Sequence, residues 1–361
     1  MNKPIPFADC HLHIRGNDYA RTVGMFDTMV SQGVTDCAVL ALPYHSVAEN
    51  LFALYCKKNY TKMTVRAFGS PHDFGVYGEM PFEKQVEGLL DMGCDGIKFM
   101  EMNPSFRKVR GHGLNAPRYD AMFSLLEERQ APVLMHVNDP EEFWQAGTAR
   151  EQKYTADYPS KQLIYDETFE MLDKHPKLRV TFAHFFFLSN ELDEAKRVME
   201  KYPNVRFDLT PGWEMFLGFS KNVDGWHDFF TTYADRILFG TDSGPRKNFN
   251  DKIHDLVWEA LTRDDEFIMP CYGKCPMHGL GLDETTVKKI CSDNYFAYMN
   301  PLVPLNEDLI HRAAERVLAD YDPENPLCDD VYPVFGKLFP KLLWAVPADK
   351  WIQSVLEDNT L

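Results

Sequence analysis

The stretch Ile5-Pro6-Phe7-Ala8-Asp9-Cys10-His11-Leu12-His13-Ile14 is an apolar run that closes on two histidines one residue apart. A run of this length with Phe, Ile and Leu reads as a buried β-strand. Side chains alternate across a strand, so His11 and His13 project to the same side. An isolated His-x-His is a short pattern that surface or hydrogen-bonded histidines also produce. Its meaning depends on what the other strands carry at their ends.

Seven further β-like runs follow, at residues 34–42, 63–70, 96–100, 133–137, 180–185, 205–209 and 237–242. Helical periodicity lies between them, most clearly at 82–92, 119–129, 162–174 and 191–201. Asn190 and Asp283 stand where N-caps are expected, ahead of 191–194 and 284–290. Eight alternations of strand and helix predict the α/β class and a closed (β/α)8 TIM barrel over residues 1–300. An open doubly wound sheet is the rival, and the first strand lacks the glycine-rich phosphate loop such folds carry. Residues 244–282 read as a long irregular insertion, and 301–361 as a C-terminal helical extension packed on the barrel after Pro301 and Pro304.

In a parallel barrel the C-terminal strand ends meet in one mouth. The fifth run carries His136 next to its last residue, the sixth passes His184 and the eighth reaches Asp242. Together with His11 and His13 these are metal-ligand and acid–base residue types drawn from four strand ends. Three neutral imidazoles and one carboxylate leave a divalent ion net positive, which acidifies a bound water.

These motifs, with Gly96-Ile97-Lys98 on the fourth strand, Gly240-Thr241-Asp242 on the eighth and the stretch from Gly281-Leu282-Asp283 to Asn294, resemble the amidohydrolase superfamily, and most its amidohydrolase-2 branch. The resemblance spans residues 5–300 and does not extend to 301–361. It implies that His11, His13, His136 and Asp242 hold one divalent metal, zinc before manganese, with Asp242 doubling as base and His184 as the acid or electrophile outside the ligand set. It implies a metal-dependent hydrolase acting on an ester, lactone or amide of a small carboxylated substrate, with a decarboxylase or hydratase of an aromatic or enoic acid as the alternative. A metal-binding barrel without catalysis is a more remote one. For Lys98 it implies either a substrate-anion holder beside one metal or a carboxylated bridge between two. Tyr44, His45, Arg110, Phe185, Trp213 and Arg246 are the expected substrate contacts, with His72, Asp73, His112, Phe186 and Phe187 also near strand ends. Cys271, Cys275 and His278 have a spacing that suits either a second zinc or ordinary reduced thiols, with Cys291 as a remote fourth ligand.

The 361-residue chain has 45% hydrophobic and 25% charged residues, which fits a globular protein with a large core. Its formal charge of −16 disfavours nucleic acid and anionic membrane as partners. Eight scattered cysteines and the start MNKPIPFADCHLHI, without a signal-like apolar run, lead to the expectation of a reducing, cytoplasmic location. A homodimer is compatible with the sequence, which does not fix the oligomeric state.

Overall fold

A computed structural model describes residues 5–14, 19–43, 48–72, 80–147, 152–210, 213–245, 253–268 and 276–319. Eight strands run parallel in sequence order: β1 (Phe7–His13), β2 (Val34–Leu40), β3 (Thr64–Gly69), β4 (Gly96–Met102), β5 (Val133–Val137), β6 (Val180–Phe182), β7 (Val205–Asp208) and β8 (Ile237–Leu238). The last strand pairs regularly over two residues only. Beyond it the backbone closes on β1 through Cys10 N to Phe239 O at 3.0 Å, Asp242 N to His11 O at 2.9 Å and His13 N to Ser243 O at 2.7 Å. The expected barrel is present.

Strand alternation divides the apolar residues into two cores. Ile97 and Phe99, Val133 and Met135, Val180 and Phe182, and Val205 and Phe207 face outward into the large core under the helices. The alternate residues Ala8, Cys10, Ala38, Leu40, Phe68, Leu134 and Leu238 fill the barrel interior, with Tyr295, Tyr298 and Met299 in the same cluster. Full burial of each large apolar side chain contributes roughly 1.5–3 kcal/mol, so both cores resist a register slip that would exchange them. Lys98, His136 and Asp208 have the interior parity of their strands.

Helix Phe82–Met92 has the predicted bounds, and Asp283 caps its helix by accepting from Thr286 N. Asn190 does not cap. Helix Leu192–Lys201 has Glu191 at its N-cap, and the Asn190 side chain instead takes a hydrogen bond from Lys221 Nζ at 2.7 Å. Residues 244–282 are also more regular than expected. They contain the helix Ile253–Thr262, whose buried Ile253, Leu256, Val257 and Leu261 form an apolar face, and an antiparallel pair of strands, β9 (Glu266–Ile268) and β10 (Pro276–His278). After Asn300, the helix Glu307–Ala319 lies against the helices Glu49–Asn59 and Phe82–Met92. Lys57 Nζ helps fasten that segment by donating to Val303 O at 2.7 Å.

Candidate metal centre

Asp9 and Asp208 set up the first ligand group. Asp9 accepts from His11 N at 3.0 Å and from Thr241 Oγ1 at 2.7 Å, which ties the end of β1 to the chain leaving β8. Asp208, at the end of β7, lies 2.8 Å from His11 Nδ1. A carboxylate only accepts, so Nδ1 carries the proton and Nε2 keeps its lone pair. That Nε2 stands 3.3 Å from His13 Nε2 and 3.5 Å from Asp242 Oδ1, while His13 Nε2 and Asp242 Oδ1 are 2.9 Å apart.

Donor atoms bound at about 2.1 Å with tetrahedral or octahedral angles stand about 3.0–3.4 Å from one another, so the triangle fits a transition-metal shell. His11, His13 and Asp242 are the group of ligand atoms that converges among the described residues. His136 is not in it. Its Nε2 is 3.3 Å from Asn103 Nδ2 and 3.5 Å from Asp139 Oδ1, because left-handed Asn138 (φ 67°) turns the chain so that Asp139 folds back on the imidazole. Tyr154 OH also donates to Asp139. The His184 ring touches both sides, with ring centroids 5.5 Å from His11 and 5.0 Å from His136.

His184 heads a left-handed turn rather than a continued strand. Residues 184–187 have φ of 55°, 54°, 56° and 52°, a conformation costing L-residues roughly 1–2 kcal/mol each. Side chains hold the turn in place. His184 N donates to Asp208 Oδ1 at 2.8 Å, and Tyr165 OH donates to Phe186 O at 2.7 Å. His184 Nδ1 lies 3.3 Å from the Thr210 carbonyl oxygen. Burial, then the neighbouring His136, pushes His184 down to about 3, so the imidazole is neutral at neutral pH.

Asp242 is the rim carboxylate, with about a third of its side chain exposed (32%). Burial acts to raise its pKa, but the hydrogen bond and charge of His13 outweigh burial and hold it well below the carboxylate range. Lys98 is fully buried on β4, and its Nζ has no hydrogen-bond partner. Burial lowers it to about 8 against the pull of Asp208 and Asp242. An unpaired buried amine beside carboxylates is costly, which marks it as more than packing.

A cavity of about 430 Å³ opens at His184 and Phe187 and is flanked by Glu141, Lys161, Met215 and Lys221. Several expected substrate contacts are elsewhere. Phe185 is fully buried and packs on Phe207, Phe219, Trp226, Phe229 and Phe230, because the left-handed turn aims it at the outer core and leaves Phe187 at the cavity. Arg110 pairs with Glu101 at 3.0 Å. Trp213 begins the helix Trp213–Ser220, its side chain outside the described residues, as are Tyr44, His45, Asp73, Arg246, Cys271 and Cys275. His278 lies on β10 with Nδ1 2.7 Å from Gly279 O, and Cys291 is fully buried. Asp208, Thr210, Asn103 and Asp139 were not anticipated. The signal available for Asp208 was an acidic residue at the inward end of an apolar strand.

With this geometry established, a family model described as amidohydrolase matches residues 8–294. The chain belongs to the amidohydrolase family. It falls in the amidohydrolase-2 branch and is an enzyme, of a family that is typically metal-dependent. Among solved structures, this amidohydrolase is similar to 2,6-dihydroxybenzoate decarboxylase from Rhizobium, at 15% identity and TM-score 0.50, covering 81% of this chain and 98% of that one. It is similar to 5-carboxyvanillate decarboxylase from Sphingomonas paucimobilis at 10% identity and TM-score 0.50, with the same coverages of 81% and 98%. No curated protein matches the amidohydrolase. Among the described residues, no helix is long and apolar enough to cross a membrane.

Proposed function

We propose that this amidohydrolase is a metal-dependent hydrolase that opens an ester, lactone or amide bond in a small carboxylated substrate. The observation that carries the reading is the convergence of His11 Nε2, His13 Nε2 and Asp242 Oδ1 within 3.5 Å, with His184 beside them at the cavity. His11, His13 and Asp242 would hold the ion, with His136 joining them only by leaving Asn103 and Asp139. When bound, a divalent ion supplies Lewis acidity that brings a water's pKa toward about 7. Zinc suits this imidazole-rich set, and manganese tolerates its carboxylate.

Asp242, ionised at neutral pH, is the group that takes the proton from the attacking water. His184 presents an unprotonated Nε2, since its Nδ1–H faces two acceptors, the Thr210 hydroxyl oxygen at 3.0 Å and the Thr210 carbonyl at 3.3 Å, so it acts by receiving the proton that Asp242 takes up and passing it to the leaving group. Lys98, buried and unpaired beneath the site, supplies positive potential for the substrate carboxylate or the developing oxyanion.

Decarboxylation on the same centre is the second reading, favoured by the names of the two structural neighbours. The full chain reconstituted with zinc or manganese should be assayed on a lactone and ester panel for ring opening and on an aromatic and enoic acid panel for carbon dioxide release. Metal-dependent ring opening is expected. Release of carbon dioxide with no hydrolysis on any panel member would replace the main reading with the second.

A further inference from the structure

His11 and His184 come from different strands, yet both are anchored on one buried carboxylate. Asp208 Oδ2 is 2.8 Å from His11 Nδ1, and neither side chain has more than 1% exposure. Asp208 Oδ1 accepts from His184 N at 2.8 Å, Thr210 N at 3.1 Å and Thr210 Oγ1 at 2.5 Å. The Thr210 hydroxyl thus commits its hydrogen to Asp208, and its oxygen can only accept from His184 Nδ1, 3.0 Å away. The Thr210 carbonyl, 3.3 Å from the same nitrogen, also only accepts.

A neutral imidazole carries one N–H, and the partner of one nitrogen decides what the other presents. We infer that Asp208 is a positioning residue shared by the two histidines, directly for His11 and through the Thr210 hydroxyl for His184, so that both keep the proton on Nδ1 and turn the Nε2 lone pair into the site. The same carboxylate fixes the backbone of the left-handed turn, so the orientation of His184 and the ligand state of His11 stand or fall together. The roles of the two histidines rest on the function proposed above, whereas their tautomers do not.

The test uses the full chain with 15N-labelled histidine and Zn2+ as the probe. Long-range 15N–1H spectra, assigned through His11→Asn and His184→Asn, report which nitrogen carries the proton, and chelator competition reports zinc affinity. Both rings are expected to show Nδ1–H. Asp208→Asn places amide hydrogens where lone pairs stood, and should disturb both tautomers and weaken zinc binding about 10- to 100-fold. Thr210→Val should disturb His184 alone with zinc affinity retained, and Thr210→Ser should restore the wild-type signal. The inference is overturned if Asp208→Asn leaves either tautomer intact. Should that variant not fold, an unchanged His184 signal in Thr210→Val overturns it. Undiminished zinc binding by His11→Asn would instead sink the metal-site reading and leave the tautomer result standing.

Discussion

The two ends of the barrel are built on opposite terms. At the N-terminal ends of the strands, Tyr298, Arg179, Arg66 and Asn300 are matched to one another and to the backbone. Tyr298 OH donates to Arg179 O at 2.7 Å, Arg179 Nη1 donates to Asn300 Oδ1 at 2.7 Å, and Arg66 Nη1 donates to Asn300 O at 2.8 Å. At the C-terminal ends, Lys98 Nζ and His13 Nδ1 are buried without partners. Of the seven non-glycine residues with positive φ among those described, six, namely Asn138, His184 to Phe187 and Asp242, follow the ends of β5, β6 and β8, and the seventh, Gln130, is a helix cap. One end stores stability, and the other holds strain and unsatisfied donors that a ligand can use. Substitutions at the mouth should therefore cost function before stability, and substitutions at the base should do the reverse.

The sharpest break in that contrast would come from β1. His11→Ala or His13→Ala should abolish metal binding and turnover together, a larger loss than the roughly 100-fold expected from supporting residues, with the far-UV spectrum unchanged. Metal analysis and a rate on the same sample decide it, and full occupancy in either variant would remove these residues from the centre. Asp242→Asn and His184→Asn come next. Each should lower turnover by roughly 100-fold or more, because an amide does not exchange protons at neutral pH. His184→Asn should keep its metal, while Asp242→Asn should keep only part of it. A metal-free His184 variant would make that residue a ligand in place of His136.

Of this contrast, the sequence showed the barrel and several residues of its mouth, and nothing of its base. The barrel could be read because outward positions such as Val133, Met135 and Val180 are apolar while His136 and Asp242 mark the strand ends. The pairing of His11 with His13 followed from strand alternation alone. What was hidden involves contacts between side chains far apart in sequence. Phe185, Phe186 and Phe187 stand at the end of the expected sixth run, and the left-handed turn that sends Phe185 to the outer core depends on Asp208, which captures the His184 amide, and on Tyr165, which donates to Phe186 O. Asn190 has the chemistry of a cap, but Lys221 reaches its oxygen first. His136 lies at the end of the expected strand and is then engaged by Asn103, which follows β4, and by Asp139, which follows the turn at Asn138.

At the base, Tyr298→Phe removes a hydroxyl that serves the Arg179 carbonyl and the Val133 amide, and should cost about 1–2 kcal/mol. The melting temperature should fall by a few degrees with turnover unchanged. A variant that melted normally but lost activity would mean the two ends are coupled rather than separate.

The smallest effect expected is at Lys98, where mouth and core meet. Burial lowers its amine from 10.5 to about 8, so the folded chain binds the proton less well than the unfolded chain does. For a group of this sign, the burden on stability is full below about pH 8 and is relieved as pH rises toward the unfolded value, because the unfolded state then holds more protons. Lys98→Met keeps the volume and removes the charge. In chelated protein it should melt above wild type at pH 7, with the difference, of order 1 kcal/mol, shrinking between about pH 8 and 10. Turnover of the metal-loaded variant should fall all the same, since the positive potential is lost. Thermal scans across that pH range, run beside the rate, separate a functional lysine from a structural one. A variant that melts below wild type at every pH would show that Lys98 belongs to the packing of the barrel and not to its mouth.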